Sequence, residues 1–328
     1  MNKKIISLGG ATEDVTIYPK EAQVLDNKGD LLRQKLLAFE YGAKIAVENT
    51  VHSFGGGSAN SAVSFSNFGF DASIITALAE DERGKKIKEN LKSKGVDTSY
   101  IISSDNNLSP YSLLIIGPKG EHVAFTYRGS KVDLSLNKKT LKAIGTADWL
   151  YVTSLSTPWK SMLLEVLSAA KKVAWNPGSQ QLKAGAGVLK KYFRKTKVLC
   201  LNKDEAIELV LSDKEYQAKN NSFYKNNNNL LKAIKAMGPE IVVITLGKEG
   251  SLAYDGKKIY KQGILKEQKR IDTTGVGDAH NSAFICGLEL YNGDIQKALS
   301  LGSRNSASVI SAQGAQNGLL RKKDIKKF

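Results

Sequence analysis

Short apolar runs alternate with amphipathic stretches along most of this chain. Ile5 to Leu8, closed by Gly9-Gly10, reads as a first buried strand. Ser73 to Leu78, Trp149 to Thr153, Val173 to Trp175, Lys197 to Leu201 and Ile241 to Leu246 read as further strands. Helical patterns lie between them. Ser58 to Phe68 turns small residues inward, and Gly84 to Lys94 is amphipathic with Gly95 as its stop. Ala279, Ala283 and Gly287 recur every four residues, flanked by Phe284 and Leu288, and predict a helix packed closely on a sheet, with Gly293 ending it. Such alternation predicts an α/β fold, a mostly parallel sheet with helices on both faces. Ligands of such sheets bind at the carboxyl ends of the strands, where Gly9-Gly10, Gly178 and Gly247 fall.

Three stretches break the alternation. Val15 to Glu48 and Tyr111 to Arg128 carry hairpin-like patterns, the second with a Pro118-Lys119-Gly120 turn signal. Asp213 to Asn229 is rich in lysine and asparagine and reads as a mobile surface insertion without chemistry. No internal repeat is visible, and 328 residues suffice for one large domain spanning 1–328.

A formal charge of +16 raises the question of nucleic acid. The lysines are dispersed, however, often at helix-surface spacing, as in Lys85, Lys86, Lys88, Lys92 and Lys94. The densest cluster is the tail, Arg321 to Lys323 with Lys326-Lys327. No zinc-finger spacing occurs and aromatics do not alternate with the basic residues, so a solvated basic surface is expected rather than a nucleic-acid partner. Two cysteines, Cys200 and Cys286, both in apolar stretches, make no disulfide framework. The apolar run at the N-terminus is too short for a signal peptide, and none is long enough to span a bilayer. A cytoplasmic protein with no membrane partner is the expectation.

Chemistry concentrates in Asp272-Thr273-Thr274-Gly275-Val276-Gly277-Asp278, a glycine-rich turn opening the helix described above. Gly275 and Gly277 let a ligand approach the main chain. The amides of Val276, Gly277 and Asp278 become unpaired helix-start donors, which suit an anion. A carboxylate placed there is poorly arranged to bind an anion and well arranged to take a proton from a hydroxyl attacking it. The pattern points to phosphoryl transfer. Asp278 is the candidate general base, with Gly275, Val276 and Gly277 forming the anion hole. No G-x-x-x-x-G-K-[ST] phosphate loop is present.

DTTGVGDAHNSAF resembles the C-terminal signature of the ribokinase (PfkB-type) family of carbohydrate and nucleoside kinases. Four other stretches agree in order. Gly55 to Asn60 resembles the family's GG-x-x-x-N substrate motif and Asn202-Lys203-Asp204-Glu205 its N-x-x-E motif. Thr245-Leu246-Gly247 with Gly250 matches the nucleotide strand and turn. Asn305-Ser306-Ala307 with Gly314-Ala315-Gln316 is similar to the C-terminal nucleotide and cation region.

The resemblance implies a ribokinase-like fold with a small β lid from about 15–50 and 110–130, and ATP and Mg²⁺ as cofactors. It gives Asn202 and Glu205 a role in holding hydrated Mg²⁺ and phosphate; an ordinary helix-capping pair also fits their spacing. Thr245, Gly247, Gly250 and Asn305 are implied in nucleotide binding. Asp14, Gly56, Gly57 and Asn60 are implied in acceptor binding, with Arg128 as a lid residue. Asp272, Thr274 and Gly314 are implied around a monovalent cation, K⁺. His280 stands where the family has Phe and reads as a packed residue, not a second base. Ribokinases proper carry Lys where this chain has Gly57 and a Glu near Ser156. Neither is present, so the acceptor stays open between a sugar, the leading expectation, and a nucleoside. An intact Asp278, glycine turn and Asn202/Glu205 pair oppose a binding regulator that has lost catalysis. A homodimer through the lid is compatible with the sequence.

Overall fold

The computed structural model describes residues 3–27, 35–104, 108–118, 122–129, 136–156, 158–265 and 270–325. Lys119 and Gly120 of the predicted turn, and Lys326-Lys327 of the basic tail, lie outside them. The first third of the chain holds β1 (Lys4–Leu8), β2 (Thr12–Pro19), β3 (Gln23–Asp26), β4 (Lys35–Ala38), β5 (Val47–Gly55), α1 (Gly57–Asn67), β6 (Asp71–Ile75), β7 (Ala77–Ala79) and α2 (Glu82–Ser93). Next come β8 (Ile102–Ser104), β9 (Tyr111–Ile116), β10 (His122–Tyr127), α3 (Lys138–Thr146), β11 (Trp149–Val152), α4 (Lys160–Ala169), β12 (Val173–Trp175), α5 (Ser179–Leu182) and α6 (Ala186–Phe193). The remainder is β13 (Val198–Asn202), α7 (Lys203–Leu211), α8 (Asn221–Lys225), α9 (Asn227–Ala236), β14 (Ile241–Thr245), β15 (Ser251–Tyr254), β16 (Ile259–Gln262), α10 (Val276–Leu290), α11 (Ile295–Ile310) and α12 (Lys322–Ile325).

Eight strands form the central sheet in the order β16-β15-β14-β13-β12-β11-β1-β6. The run from β14 to β6 is parallel, and β15 and β16 close one edge antiparallel. Successive side chains of a strand face opposite layers. Ile6 and Leu8, with Leu150, Val152, Leu199 and Ile244, pack beneath α4, α6, α7 and α9. Ile5, Trp149, Tyr151, Val198 and Val243 pack beneath α1, α10 and α11. Each fully buried Leu or Ile stabilises the fold by roughly 1.5–3 kcal/mol. Both cysteines are free and buried in the second layer.

The first two of the three stretches outside the alternation contribute a separate four-stranded sheet, β10-β9-β2-β5. β9 and β10 form the expected hairpin in the second stretch, and consecutive β3 and β4 pair antiparallel in the first. β2 pairs antiparallel with β5 and parallel with β9, and β3 and β4 make their own two-stranded ribbon. The sheet also starts earlier than the pattern suggested, because β2 begins at Thr12 and carries Asp14 inside a strand.

Other expectations shift for identifiable reasons. The predicted strand from Ser73 to Leu78 is two, β6 and β7, with β7 leaving the central sheet to pair β8. α2 starts two residues early because Asp81 caps it, accepting from Gly84 N at 2.8 Å. Gly287 faces a helix, not the sheet: a Cβ there would lie 2.6 Å from Ala298 Cα of α11. The stretch from 213 to 229 is built structure, not a mobile insertion. Asn220 caps α8 and Asn226 caps α9, while Asp213 is buried against Lys190 at 2.8 Å. Among the described residues no helix is long and apolar enough to cross a membrane.

Candidate active site

The turn before α10 lies at the carboxyl-end side of the sheet. Gly275 is its N-cap at φ 73°, a left-handed conformation that glycine adopts without penalty. A Cβ at Gly275 would also fall 2.4 Å from Ala315 Cβ. The Val276 amide reaches Thr273 O at 3.5 Å, and Ala279 N bonds Gly275 O at 2.9 Å. Between them, the Gly277 and Asp278 amides have no acceptor among the described residues. A Cβ on Gly277 would meet nothing within 4 Å, so the space beside this residue is open. Of the three amides expected to be free, Val276, Gly277 and Asp278, two are free of a backbone acceptor among the described residues.

Asp278 sits on the first turn of α10, half-buried, and its Oδ2 accepts from Asn60 Nδ2 at 2.8 Å. Burial pushes the Asp278 carboxyl above the ordinary range, the Asn60 amide pulls it back, and the charge of Asp14 pushes it up again. Asp14 itself is buried on β2 with Thr12 Oγ1 donating at 3.0 Å, and burial raises it too. Gly56, at φ 92°, packs onto Gly10, where a Cβ would be 2.5 Å from the carbonyl. A Cβ on Gly57 would lie 3.4 Å from Asp278 Oδ1, so this backbone walls the carboxylate. Asp14, Asn60, Gly57 and Asp278 thus converge from β2, α1 and α10.

Two hollows open here. A small one of about 50 Å³ lies between Gly9-Gly10, Thr76 to Ala79, Ser154 and Arg128. Arg128 is exposed and donates through Nη1 to Ser154 Oγ at 3.4 Å. The larger, about 620 Å³, is lined by Asn202, Thr245, Gly247, Gly250, Val276 and Gly277. Lys203, Lys248 and Arg270 also line it, three cations that the motifs alone did not single out. Lys203 stands within the Asn202 to Glu205 motif, where a charge beside a phosphate motif was a usable signal.

Asn202 and Glu205 form the reciprocal cap: Asn202 Oδ1 accepts from Glu205 N and Glu205 Oε2 from Asn202 N, both at 2.8 Å. Asn305 corrects an expectation. It is fully buried, donating to Ala279 O at 2.8 Å and accepting from Leu320 N at 2.8 Å. Its amide ties α11 to α10 and the C-terminal segment, and Ser303, Ser306 and Ala307 line the large cleft in its place. Asp272 spends both oxygens on backbone, accepting from Thr274 N and from Gly314 N at 2.9 Å each. This clamps the turn to the C-terminal loop. Among the described residues no group of three or more His, Cys, Asp or Glu could hold a metal alone. His280 is buried, with Nε2 2.9 Å from Ser251 Oγ, and burial lowers it to about 4. It is the packed residue expected.

The architecture is shared with solved proteins. A nucleoside kinase of Methanocaldococcus jannaschii, described as an archaeal member of the ribokinase family, superposes with TM-score 0.77 at 17% identity, covering 99% of this chain and 97% of that one. Arabidopsis thaliana ribokinase, complexed with ribose and ATP, gives 0.80 at 18%, covering 100% and 98%. The fold is thus ribokinase-like. In sequence, a protein of Archaeoglobus fulgidus described as an uncharacterized sugar kinase is 26% identical over 268 residues, 79% of this chain and 99% of that one. The chain belongs to the pfkB family of carbohydrate kinases, whose model matches residues 28–322. It is a sugar or nucleoside kinase, a phosphotransferase with a hydroxyl acceptor.

Proposed function

We propose that this kinase transfers the γ-phosphoryl of ATP to a hydroxymethyl-type alcohol of a sugar, with Asp278 as general base. The observation that carries the reading is the placement of Asp278 beside two unpaired helix-start amides, with Asn60 donating to it. Asp278 takes the proton of the acceptor hydroxyl as its oxygen bonds to the γ-phosphorus. The bond from that phosphorus to the bridging oxygen breaks, and ADP leaves. The Gly277 and Asp278 amides hold the charge on the transferred group, where fixed donors act without reorganising. The large cleft, with Lys203, Lys248 and Arg270 at its walls, suits a nucleotide triphosphate.

Magnesium would enter with the phosphates and supply charge neutralisation. Asn202 and Glu205 fit it through water, since Glu205 keeps one carboxylate oxygen beyond its cap bond. Asp272, through the lone pairs left beyond its two backbone bonds, with Thr274 and Gly314 would hold K⁺ near the turn and set its shape. Asp14, Gly56, Gly57 and Asn60 would bind the acceptor, with Arg128 reaching it from the four-stranded sheet acting as a lid. The whole chain would act as one kinase domain, and two copies would pair through the lid. A nucleoside acceptor is the second reading, favoured by the bare Gly57, which sets no side chain over Asp278.

The test is an ADP-release screen over pentoses, hexoses, ketose phosphates and nucleosides, with Mg²⁺ and with K⁺ or a bulky organic cation. Asp278→Asn should keep acceptor binding and lower turnover about 10²–10⁴-fold, whereas Asn60→Ala or Asp14→Ala should weaken acceptor binding first. Near-normal turnover of Asp278→Asn removes that residue from the mechanism. Unchanged rates in the bulky cation count against K⁺.

A further inference from the structure

Asn60 is 4% exposed and touches more than Asp278. Its Oδ1 accepts from Gln316 Nε2 at 3.1 Å, and Gln316 Oε1 accepts in turn from Asn90 Nδ2 at 2.9 Å. Gln316 is 7% exposed, so neither amide turns freely into water. The chain of bonds runs from Asn90 on α2, through Gln316 near the C-terminus and Asn60 on α1, to Asp278 on α10. Every link has one polarity. A carboxylate accepts only, whereas a carboxamide offers a donor at one end and an acceptor at the other. With Asn60 Nδ2 on Asp278, Asn60 must accept on its far side, and Gln316 supplies that donor.

We propose that Gln316 is a positioning residue for Asp278, acting through Asn60 by fixing which end of that amide faces the carboxylate. The proposal rests on Asp278 being the base. Gln316 is of the right length to hold Asn60, and its second hydrogen bond to Asn90 removes its own freedom to reverse. Reversal would set Asn60 Oδ1 against Asp278 Oδ2, two acceptors in contact. The carboxylate would lose a donor that favours its charged form and would hold its proton to higher pH.

A Gln316→Glu variant tests this, because glutamate can only accept. Asn60 must then turn Nδ2 toward residue 316 and Oδ1 toward Asp278. The acid limb of the kcat/KM profile should move up by roughly one pH unit or more. Gln316→Met, similar in size but without polarity, leaves Asn60 free to keep donating to Asp278, and its limb should stay in place. A double-mutant cycle separates the relay from a through-space charge effect. Asn60→Ala cuts the chain, and adding Gln316→Glu to it should move the limb no further.

Equal limbs for Gln316→Glu and Gln316→Met, or a shift that survives in the Asn60→Ala background, would overturn the relay. Asp278→Asn run alongside separates the two readings. If it loses turnover while the Gln316→Glu limb stays still, only the relay fails; if it keeps turnover, the base assignment fails with it. Should Gln316→Glu not accumulate as folded protein, Asn90→Asp asks the same question from a half-exposed site on α2. It forces Gln316 to reverse and should move the limb in the same direction; an unmoved limb would overturn the proposal.

Discussion

His280 shows how burial decides a residue's chemistry. Held near pKa 4 in the fold against 6.5 when unfolded, it stays neutral in the native state while the unfolded chain takes up a proton. Its contribution is therefore intact above pH 6.5 and is lost as pH falls from there toward about 4, at up to about 1.4 kcal/mol per pH unit. His280→Gln, still able to bond Ser251, should flatten that part of the stability curve in urea titrations at several pH values; an unchanged slope would contradict the assignment. The sequence marked His280 as packed because it stands where an apolar residue stands in similar chains. Asn305 defeats the motif for the converse reason. A polar residue in a motif looks like a ligand until its partners, Ala279 O and Leu320 N, are in view. Gln316 was legible only as part of a loop, since its partner Asn60 is 256 residues away.

Helices reveal their own stops and starts, and here the asparagines matter most. Asn226 accepts from both Asn228 N and Asn229 N at the start of α9, whose Leu230, Leu231 and Ile234 are fully buried. Asn226→Ala should destabilise the protein by about 1 kcal/mol, read as a lower denaturation midpoint with unchanged slope, while ADP release per folded molecule stays as before. No loss would mean that packing alone starts the helix. The stretch reads as mobile because its composition resembles that of unfolded chains, whereas its asparagines act as caps for apolar residues that lie further along the chain. Central strands were easier to see: buried on both faces, they are continuous apolar runs. The pairing of β2 with β9 was not visible, because no local signal joins Asp14 to Ser112.

At the scale of the molecule, the large cleft opens onto the start of α10, while Arg128 and Gly129, just after β10 of the four-stranded sheet, line the small hollow. Arg83 on α2 reaches across to that sheet, bonding Glu13 Oε2 at 2.8 Å and lying 4.5 Å from the Tyr111 ring. The sheet is therefore tethered to the body by a charged clasp. Five motifs scattered between residues 55 and 316 were recognisable because each is a short run of neighbouring residues; the contacts linking them were not, since they join distant parts of the chain.

If the free amides of Gly277 and Asp278 hold anions as proposed, the protein's stability reports on its own buffer. A tetrahedral oxyanion seated on that helix start, as proposed, would bind the native state and raise the melting temperature by mass action. At low millimolar sulfate or phosphate, where general salting effects are small, thermal scans should therefore exceed those in chloride at equal ionic strength, with no acceptor or nucleotide added. Gly277→Val, which adds a branched side chain beside these amides, should shrink that difference while leaving the chloride value close to the parent's. If sulfate and chloride scans coincide for the parent protein, the helix start does not hold anions in solution.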